Sequence, residues 1–218
     1  MIVGMSRAGG FGPGADELEV DDDGSWKALR SAGSAVGGRF GGQLDPDVIA
    51  RLHTEAEAAA SAGPPVREDA WSPGAVVDTF WAGEVVAQIE REAPLPGPWE
   101  PVAAFCRSQL EGAVDAPLAA VQLEPAGEAT LRHVGSEALS TDGSGFSVEA
   151  TLTGPDSSTL GSWTTTVDAP EVIEPGWETT LGLGRSGFHP EGGQTIGLNV
   201  TFTMVDGLPR PVALWAST

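Results

Sequence analysis

Apolar and polar residues alternate through the second half of the chain. Between Phe146 and Leu152 every second residue is apolar, and the residues between them are Ser147, Glu149 and Thr151. Because successive side chains of a strand point to opposite faces, this pattern predicts strands with one buried face, and residues 196–204 repeat it. Predicted strands cover Ala119–Glu124, Glu128–Val134, Gly145–Thr153, Leu160–Asp168, Trp177–Leu183, Gly193–Val205 and Pro211–Ala216.

Turn-forming residues separate these strands. Gly154-Pro155-Asp156 and Glu174-Pro175-Gly176 combine proline with glycine, the residues that most strongly favour tight turns. Many short strands divided by such turns are typical of β-sandwiches and closed barrels. We therefore predict an all-β sandwich or barrel domain over residues 115–218, whose role the pattern does not indicate.

Residues 1–114 predict a different domain, an α+β fold in which two helices accompany an antiparallel sheet. The sequence Asp45-Pro46-Asp47 places a capping acid before a proline, which predicts a helix from there to about Ala62. A second apolar stripe predicts a helix from about Pro101 to Leu110. We expect the boundary between the two domains near Gly112–Pro117.

The predicted strands of this first domain form two pairs. Residues 2–6 and 17–21 give one pair, and Val76–Trp81 with Glu84–Glu90 gives a hairpin. Between them, Trp26–Leu29 fits a helical turn. Residues 31–43 are rich in glycine, serine and alanine, which predicts a loop.

The segment Arg7–Gly14 carries the strongest functional signal. It joins the first two predicted strands, and four glycines surround the single aromatic residue Phe11. Glycine suits positions where the backbone adopts a positive φ or approaches a partner closely. The following strand ends at three aspartates, Asp21–Asp23. This part of the chain resembles the opening of the emfourin family, whose members inhibit M4, thermolysin-like metallopeptidases. The residues that carry the resemblance are Arg7, Gly9, Gly10, Phe11 and Val20-Asp21.

The resemblance extends over about residues 1–112 and implies a function. It implies that the chain binds a zinc metallopeptidase through the Gly-rich loop, with Phe11 in an apolar pocket of the enzyme. The partner-binding residues are then Arg7, Gly9, Gly10, Phe11 and Gly12, with the carboxylate of Asp16 or Glu17 near the enzyme's zinc. The sequence departs from the family pattern at Pro13-Gly14, which lengthens the turn. In the alternative interpretation, Phe11 packs on its own domain and Gly9–Gly14 is only a tight hairpin.

Charge excludes several classes of partner. The chain has 31 acidic and 11 basic residues and a net charge of −20. Nucleic acids and anionic membranes both require a basic face, so we expect neither as a partner. The N-terminal residues do not form a signal peptide and no apolar run is long enough to cross a membrane, which makes a cytoplasmic location the expectation.

Few residues suggest catalysis. The single cysteine, Cys106, lies in the predicted second helix and is expected to be a small buried residue. The three histidines have no shared spacing, and the Asp21–Asp23 run lacks the pattern of a calcium loop. We therefore expect no catalytic residues, no bound metal and no cofactor. The alternative function is a non-catalytic assembly subunit that binds protein partners through its β-sandwich. Among the seven tryptophans, Trp99 lies between prolines and is predicted to be the most exposed.

Overall fold

The chain folds into two compact units. The first unit combines Met1–Leu29 with Arg39–Ala116, and the second combines Arg30–Gly38 with Pro117–Thr218. The computed structural model describes residues 1–9, 15–31, 34–65, 74–91, 95, 97–125, 129–182, 191–205 and 210–217.

The first unit contains an antiparallel sheet with two helices, as predicted. Its strands lie in the order β4-β3-β2-β1-β5-β6, so β1 has a neighbour on each side. The predicted first pair and the predicted hairpin are both present, as β1 with β2 and β5 with β6. The strands are β1 (Val3–Gly9), β2 (Asp16–Val20), β3 (Ser25–Arg30), β4 (Val36–Gln43), β5 (Val76–Ala82) and β6 (Val85–Glu90).

Both helices begin where the sequence predicts. Helix α1 (Pro46–Ala62) is capped by Asp45, whose side chain accepts a hydrogen bond from the backbone N–H of Asp47 at 2.9 Å. Its apolar stripe is buried at Leu52, Ala56 and Ala59. Helix α2 (Glu100–Gly112) follows a short 3-10 turn and has the buried side chains Val102, Ala103, Cys106 and Leu110. The apolar stripes therefore predict both helices, although Val48, Ile49 and Phe105 of the predicted stripes are only half-buried.

Two local predictions were wrong. Residues 25–30 form strand β3 instead of a helical turn, and β4 occupies most of the predicted loop at 31–43. The glycines of β4 serve close packing: a Cβ atom on Gly42 would lie 2.9 Å from Nε1 of the buried Trp26. Glycine in a strand often marks such a close approach, whereas the composition of 31–43 alone resembles that of a loop.

The second unit is built almost entirely from antiparallel strands, which confirms the predicted β-rich class. Its largest sheet has the order β11-β10-β14-β15, β8 pairs with β7 and β13, and β9 pairs with β12. The strands are β7 (Pro117–Glu124), β8 (Thr130–His133), β9 (Leu139–Ser140), β10 (Phe146–Thr153), β11 (Thr159–Val167), β12 (Val172–Ile173), β13 (Glu178–Thr180), β14 (Thr195–Met204) and β15 (Arg210–Ser217).

One face of the four-stranded sheet forms part of the core of this unit. Phe146 lies 5.3 Å from Phe202 and 5.7 Å from Trp177, measured between ring centroids. Trp177 precedes β13, so this aromatic cluster packs the four-stranded sheet against the strands around β8. The apolar sets predicted from alternation in β10 and β14 are buried except for Leu152, which is only half-buried. The buried members are Phe146, Val148, Ala150, Ile196, Leu198, Val200 and Phe202.

A histidine is buried in the same core. His133 is the last residue of β8 and exposes 3% of its surface. Burial lowers the pKa of His133 below its usual value, and nearby backbone groups at Glu137 and Gly135 and the carboxylate of Glu174 oppose this only in part. The folded protein therefore keeps this imidazole neutral at pH values where the unfolded chain is already protonated.

We expect this histidine to make the folded state less stable in acid. Just below the usual histidine pKa of about 6.5, the unfolded state binds more protons than the folded state, so the free energy of unfolding falls as the pH drops. Urea unfolding of the wild type and of His133→Leu between pH 7 and pH 5 checks this. Both proteins have the same carboxylates, so the effect of these groups cancels in the difference between the two free energies of unfolding. The advantage of the wild type over the variant should shrink in acid, and a difference that does not change with pH would contradict the assignment.

Candidate functional site

The predicted recognition loop joins two strands of the first unit. Strand β1 ends at Gly9 and β2 begins at Asp16, so both ends of the connection belong to the sheet. Residues 10–14, including the predicted contact residues Gly10, Phe11 and Gly12, lie outside the described residues. The described residues on either side of them form the base of this loop.

The sheet holds the loop base from two sides. Arg7 lies opposite Asp16 in β2 and opposite Asp78 in β5, both in antiparallel register. The pairing with β5 continues to the last residue of β1, where Gly9 lies opposite Val76. Strand β1 is therefore paired with β2 as far as Arg7 and with β5 as far as Gly9, where the loop begins.

Three charged side chains meet beneath this base. The carboxylate of Asp78 is completely buried and accepts two hydrogen bonds from Arg7, from Nε at 2.8 Å and from Nη2 at 3.3 Å. Its other contact is Arg107, whose Nε donates to Oδ2 of Asp78 at 2.9 Å. We call Arg7, Asp78 and Arg107 the ion triad. An ionised carboxylate without access to water requires such charged partners.

The ion triad follows from the local pattern of β5 and α2. Asp78, Phe80 and Ala82 alternate along one buried face of β5. Arg107 comes from α2, and its guanidinium carbon lies 5.4 Å from the centre of the Phe80 ring, within the range of a cation–π contact. Its Nη2 also donates to the backbone carbonyl of Arg91 at 3.2 Å, just beyond β6. A single side chain thus connects α2 to β5 and to the end of β6.

Gly9 has a local structural reason to be glycine. Its φ is +108°, which residues with a side chain rarely adopt, and a Cβ atom there would lie 2.4 Å from the backbone oxygen of Ala75. Both the backbone conformation and the close approach of the chain before β5 therefore require glycine at this position. The sequence suggested a glycine-dependent turn, and the structure gives the reason at Gly9.

Asp16 lies at the base of the loop as well. It is the first residue of β2 and exposes 6% of its surface. In this position its side chain contributes to the base rather than to the surface that a partner meets first. Of the predicted contact residues, the structure brings Arg7, Gly9 and Asp16 together at one end of the sheet.

The remaining candidates for chemistry have structural roles. Cys106 is fully buried, as predicted, and its Sγ lies 4.0 Å from the carbonyl oxygen of Gly4. Burial raises the pKa of its thiol to about 12, so it stays protonated and is a poor nucleophile. The Asp21–Asp23 run ends in a turn in which Asp23 accepts hydrogen bonds from the backbone N–H and the hydroxyl of Ser25, at 2.9 and 2.7 Å. Within the described residues, no three His, Cys, Asp or Glu side chains group in a way that could hold a metal ion.

The prediction for the exposed tryptophan was wrong. Trp99 exposes 1% of its surface, and its indole Nε1 donates to the carbonyl oxygen of Gly63 at 2.8 Å, which fastens the turn before α2 to the end of α1. Among the six tryptophans in the described part of the chain, Trp215 of β15 is the exposed one, with 52% of its surface accessible. Its position in an alternating strand, on the face opposite Leu214, is the signal that predicts this exposure.

No protein-family model, curated protein or solved structure matches this chain. None of the helices in the described part of the chain is long and apolar enough to cross a membrane.

We expect the first unit to be strongly destabilised when the carboxylate of the ion triad is removed. Asp78→Ala leaves two arginines without their buried partner, and breaking a buried ion pair on one side costs about 3–5 kcal/mol. The matched control is Glu55→Ala, which removes the exposed pair with Arg51 at 3.7 Å, and exposed pairs contribute about 0–1 kcal/mol. Urea unfolding measures both changes. Equal small losses for the two variants would contradict the importance of the triad.

Proposed function

We propose that the chain is a binding protein that inhibits an M4-type zinc metallopeptidase through the loop Arg7–Gly14. The observation that carries this proposal is the ion triad beneath the loop, which fastens β1 to β5 and α2 immediately before the loop begins. The charges of the ion triad hold the base of the loop. The resemblance to emfourins supplies the class of partner.

An anchored base favours tight binding. A flexible loop loses conformational entropy when it enters an enzyme cleft, and holding it in advance reduces that cost. Here β1 is paired on both edges at Arg7, which is its last residue paired with β2, and Gly9 is its last residue paired with β5. We infer that Arg7 positions the loop through Asp78, and that Phe11 makes the apolar contact with the enzyme.

The described polar side chains fit a role in binding better than a role in catalysis. Cys106 is buried with a raised pKa, and His133 is buried with a lowered one. Asp78 is occupied by two arginines. An inhibitor of this kind needs a shaped surface and no reactive group of its own, which agrees with these placements.

We expect Phe11→Ala to weaken inhibition of a thermolysin-like enzyme by about 2 kcal/mol or more, since large residues at the centre of an interface contribute this much. Inhibition constants of the wild type and of the variant measure the change. The control is Leu160→Ala, which removes another large apolar side chain, 52% exposed, from the second unit and should leave inhibition intact. The assay contains calcium and zinc in excess, because a protein of charge −20 can also remove metal ions from an enzyme.

Two results would contradict the proposal. The wild type could leave every thermolysin-like enzyme tested uninhibited, with its fold verified by circular dichroism. Alternatively, Phe11→Ala could unfold the first unit, which would place Phe11 in the core and leave the loop without its anchor.

A second candidate function is an assembly subunit that binds protein partners through the β-rich unit. A specific observation favours it: Val172 and Val205 expose 45% and 40% of their surfaces and both lie beside Ser140. Val172 is opposite Ser140 in the β9–β12 pair, and the N–H of Val205 donates to the Ser140 carbonyl at 3.2 Å. Two exposed valines so close together form a small apolar patch of the kind that binds proteins.

If this patch mediates assembly, the double variant Val172→Asp, Val205→Asp should convert an oligomer into a monomer, because unpaired charges oppose apolar association. Light scattering coupled to size-exclusion chromatography measures the mass of both forms. Val86→Asp changes an exposed valine of the first unit, 41% accessible, and serves as the control. A wild-type protein that is already monomeric at high concentration would leave the inhibitor proposal as the better one.

A further inference from the structure

The outward face of the four-stranded sheet β11-β10-β14-β15 is polar and carries many hydroxyl groups. The alternation that buries one set of side chains directs the other set to solvent, and serine and threonine dominate this second set. Among the described outward positions of these strands, Glu149 is the charged one. The hydroxyl-bearing positions include Ser147, Thr151, Ser162, Thr164, Thr166 and Thr201.

One large aromatic side chain lies on this face. The indole of Trp215 covers Gly197 of the neighbouring strand: a Cβ atom on Gly197 would be 3.3 Å from its Nε1 and 3.6 Å from its Cζ2. Because Gly197 has no side chain, the ring packs close to the sheet. The indole is 52% exposed, so much of its surface is open to solvent.

Trp215 belongs to a row of four residues across the sheet. The strand registers place Trp215 opposite Asn199, Asn199 opposite Glu149, and Glu149 opposite Thr164. With strands about 4.8 Å apart, the row is about 14 Å long. We call it the cross-strand row. It combines an exposed indole with an amide, a carboxylate and a hydroxyl group.

The amide of this row has unused hydrogen-bonding capacity. Oδ1 of Asn199 is buried and accepts no hydrogen bond from the described residues. A buried polar atom without a partner is costly, and in a native protein it calls for an explanation such as a functional role or a bound water or ion. Asn199 also begins the sequon Asn199-Val200-Thr201, but its central position in β14 and its buried oxygen make it a poor acceptor for a glycan.

We propose that the cross-strand row binds a neutral polysaccharide, independently of the function proposed for the first unit. A pyranose ring has a face of C–H groups and a rim of hydroxyl groups. The C–H face fits against the electron-rich face of an indole, and the hydroxyl rim needs donors and acceptors placed beside it. Trp215 supplies the indole face. The donors and acceptors come from Asn199, Glu149 and the surrounding hydroxyl groups.

The negative charge of the protein favours a neutral polysaccharide over an anionic one. The described charges at the outward face are carboxylates, that of Glu149 and that of Asp142, which accepts a hydrogen bond from Thr203, and the whole chain has a charge of −20. An anionic polymer such as a polyuronate is therefore repelled both by these side chains and by the protein. An open sheet face also suits an extended chain better than a small molecule, which is usually enclosed in a pocket.

Affinity electrophoresis of the full chain tests this proposal. The strongly acidic protein migrates rapidly in native gels, so retardation by a polysaccharide cast into the gel is easy to measure. The probes are hydroxyethyl cellulose, xylan and soluble starch, with polygalacturonate as the anionic comparison. We expect retardation by at least one neutral polymer and none by polygalacturonate, and we expect Trp215→Ala to reduce the affinity at least tenfold.

Two further variants make the test specific. Val86→Ala shortens an exposed apolar side chain of the first unit and should leave retardation unchanged. Glu149→Ala lies at an exposed position where substitutions rarely disturb folding, and it should weaken binding several-fold even if Trp215→Ala proves unstable. The proposal is overturned if no neutral polymer retards the wild type, if polygalacturonate retards it equally, or if neither Trp215→Ala nor Glu149→Ala changes the retardation.

Discussion

The buried carboxylate of Asp78 is the constraint on which the first unit depends. Removing an ion from water is costly unless charged partners replace the lost hydration. Arg7 from β1 and Arg107 from α2 provide these partners, at 2.8 and 2.9 Å. A chain with only 11 basic residues against 31 acidic ones places two of the basic residues on this single carboxylate. The pairing of β1 with β5 and the position of α2 are therefore coupled through one buried charge.

This coupling holds the strands at the base of the Gly-rich loop. The loop leaves the sheet two residues after Arg7, at Gly9, whose positive φ and close contact with Ala75 allow no side chain. Its return point, Asp16, lies opposite Arg7 in β2. The two strands that carry the loop are thus held at the ends of the loop. Holding a binding loop in advance reduces the conformational entropy that it loses on binding. The proposed division of roles follows: Arg7 and Gly9 shape the loop, and Phe11 meets the partner.

Local patterns predicted much of this fold, and contacts between distant residues account for the errors. The Asp45 cap and the alternation of β10 and β14 are local signals, and the corresponding elements appear as predicted. Strand β4 was missed because its glycines make room for residues such as Trp26, which composition cannot reveal. Trp99 was expected to be exposed because of its prolines, but its indole reaches the Gly63 carbonyl, 36 residues away in sequence. The partnership of Arg7 with Asp78 spans 71 residues and had no sequence signal either.

The two proposed binding surfaces differ in character: a glycine-rich loop on the first unit and a hydroxyl-rich sheet face on the second. The central claim is that the loop is the recognition element for a metallopeptidase. Amide hydrogen exchange of the chain, alone and with a catalytically inactive thermolysin-like enzyme in excess, tests it most directly. The account predicts slowed exchange in peptides that cover Arg7–Asp16 and unchanged exchange in β10 and β14. Unchanged exchange throughout, or slowing confined to the second unit, would contradict it.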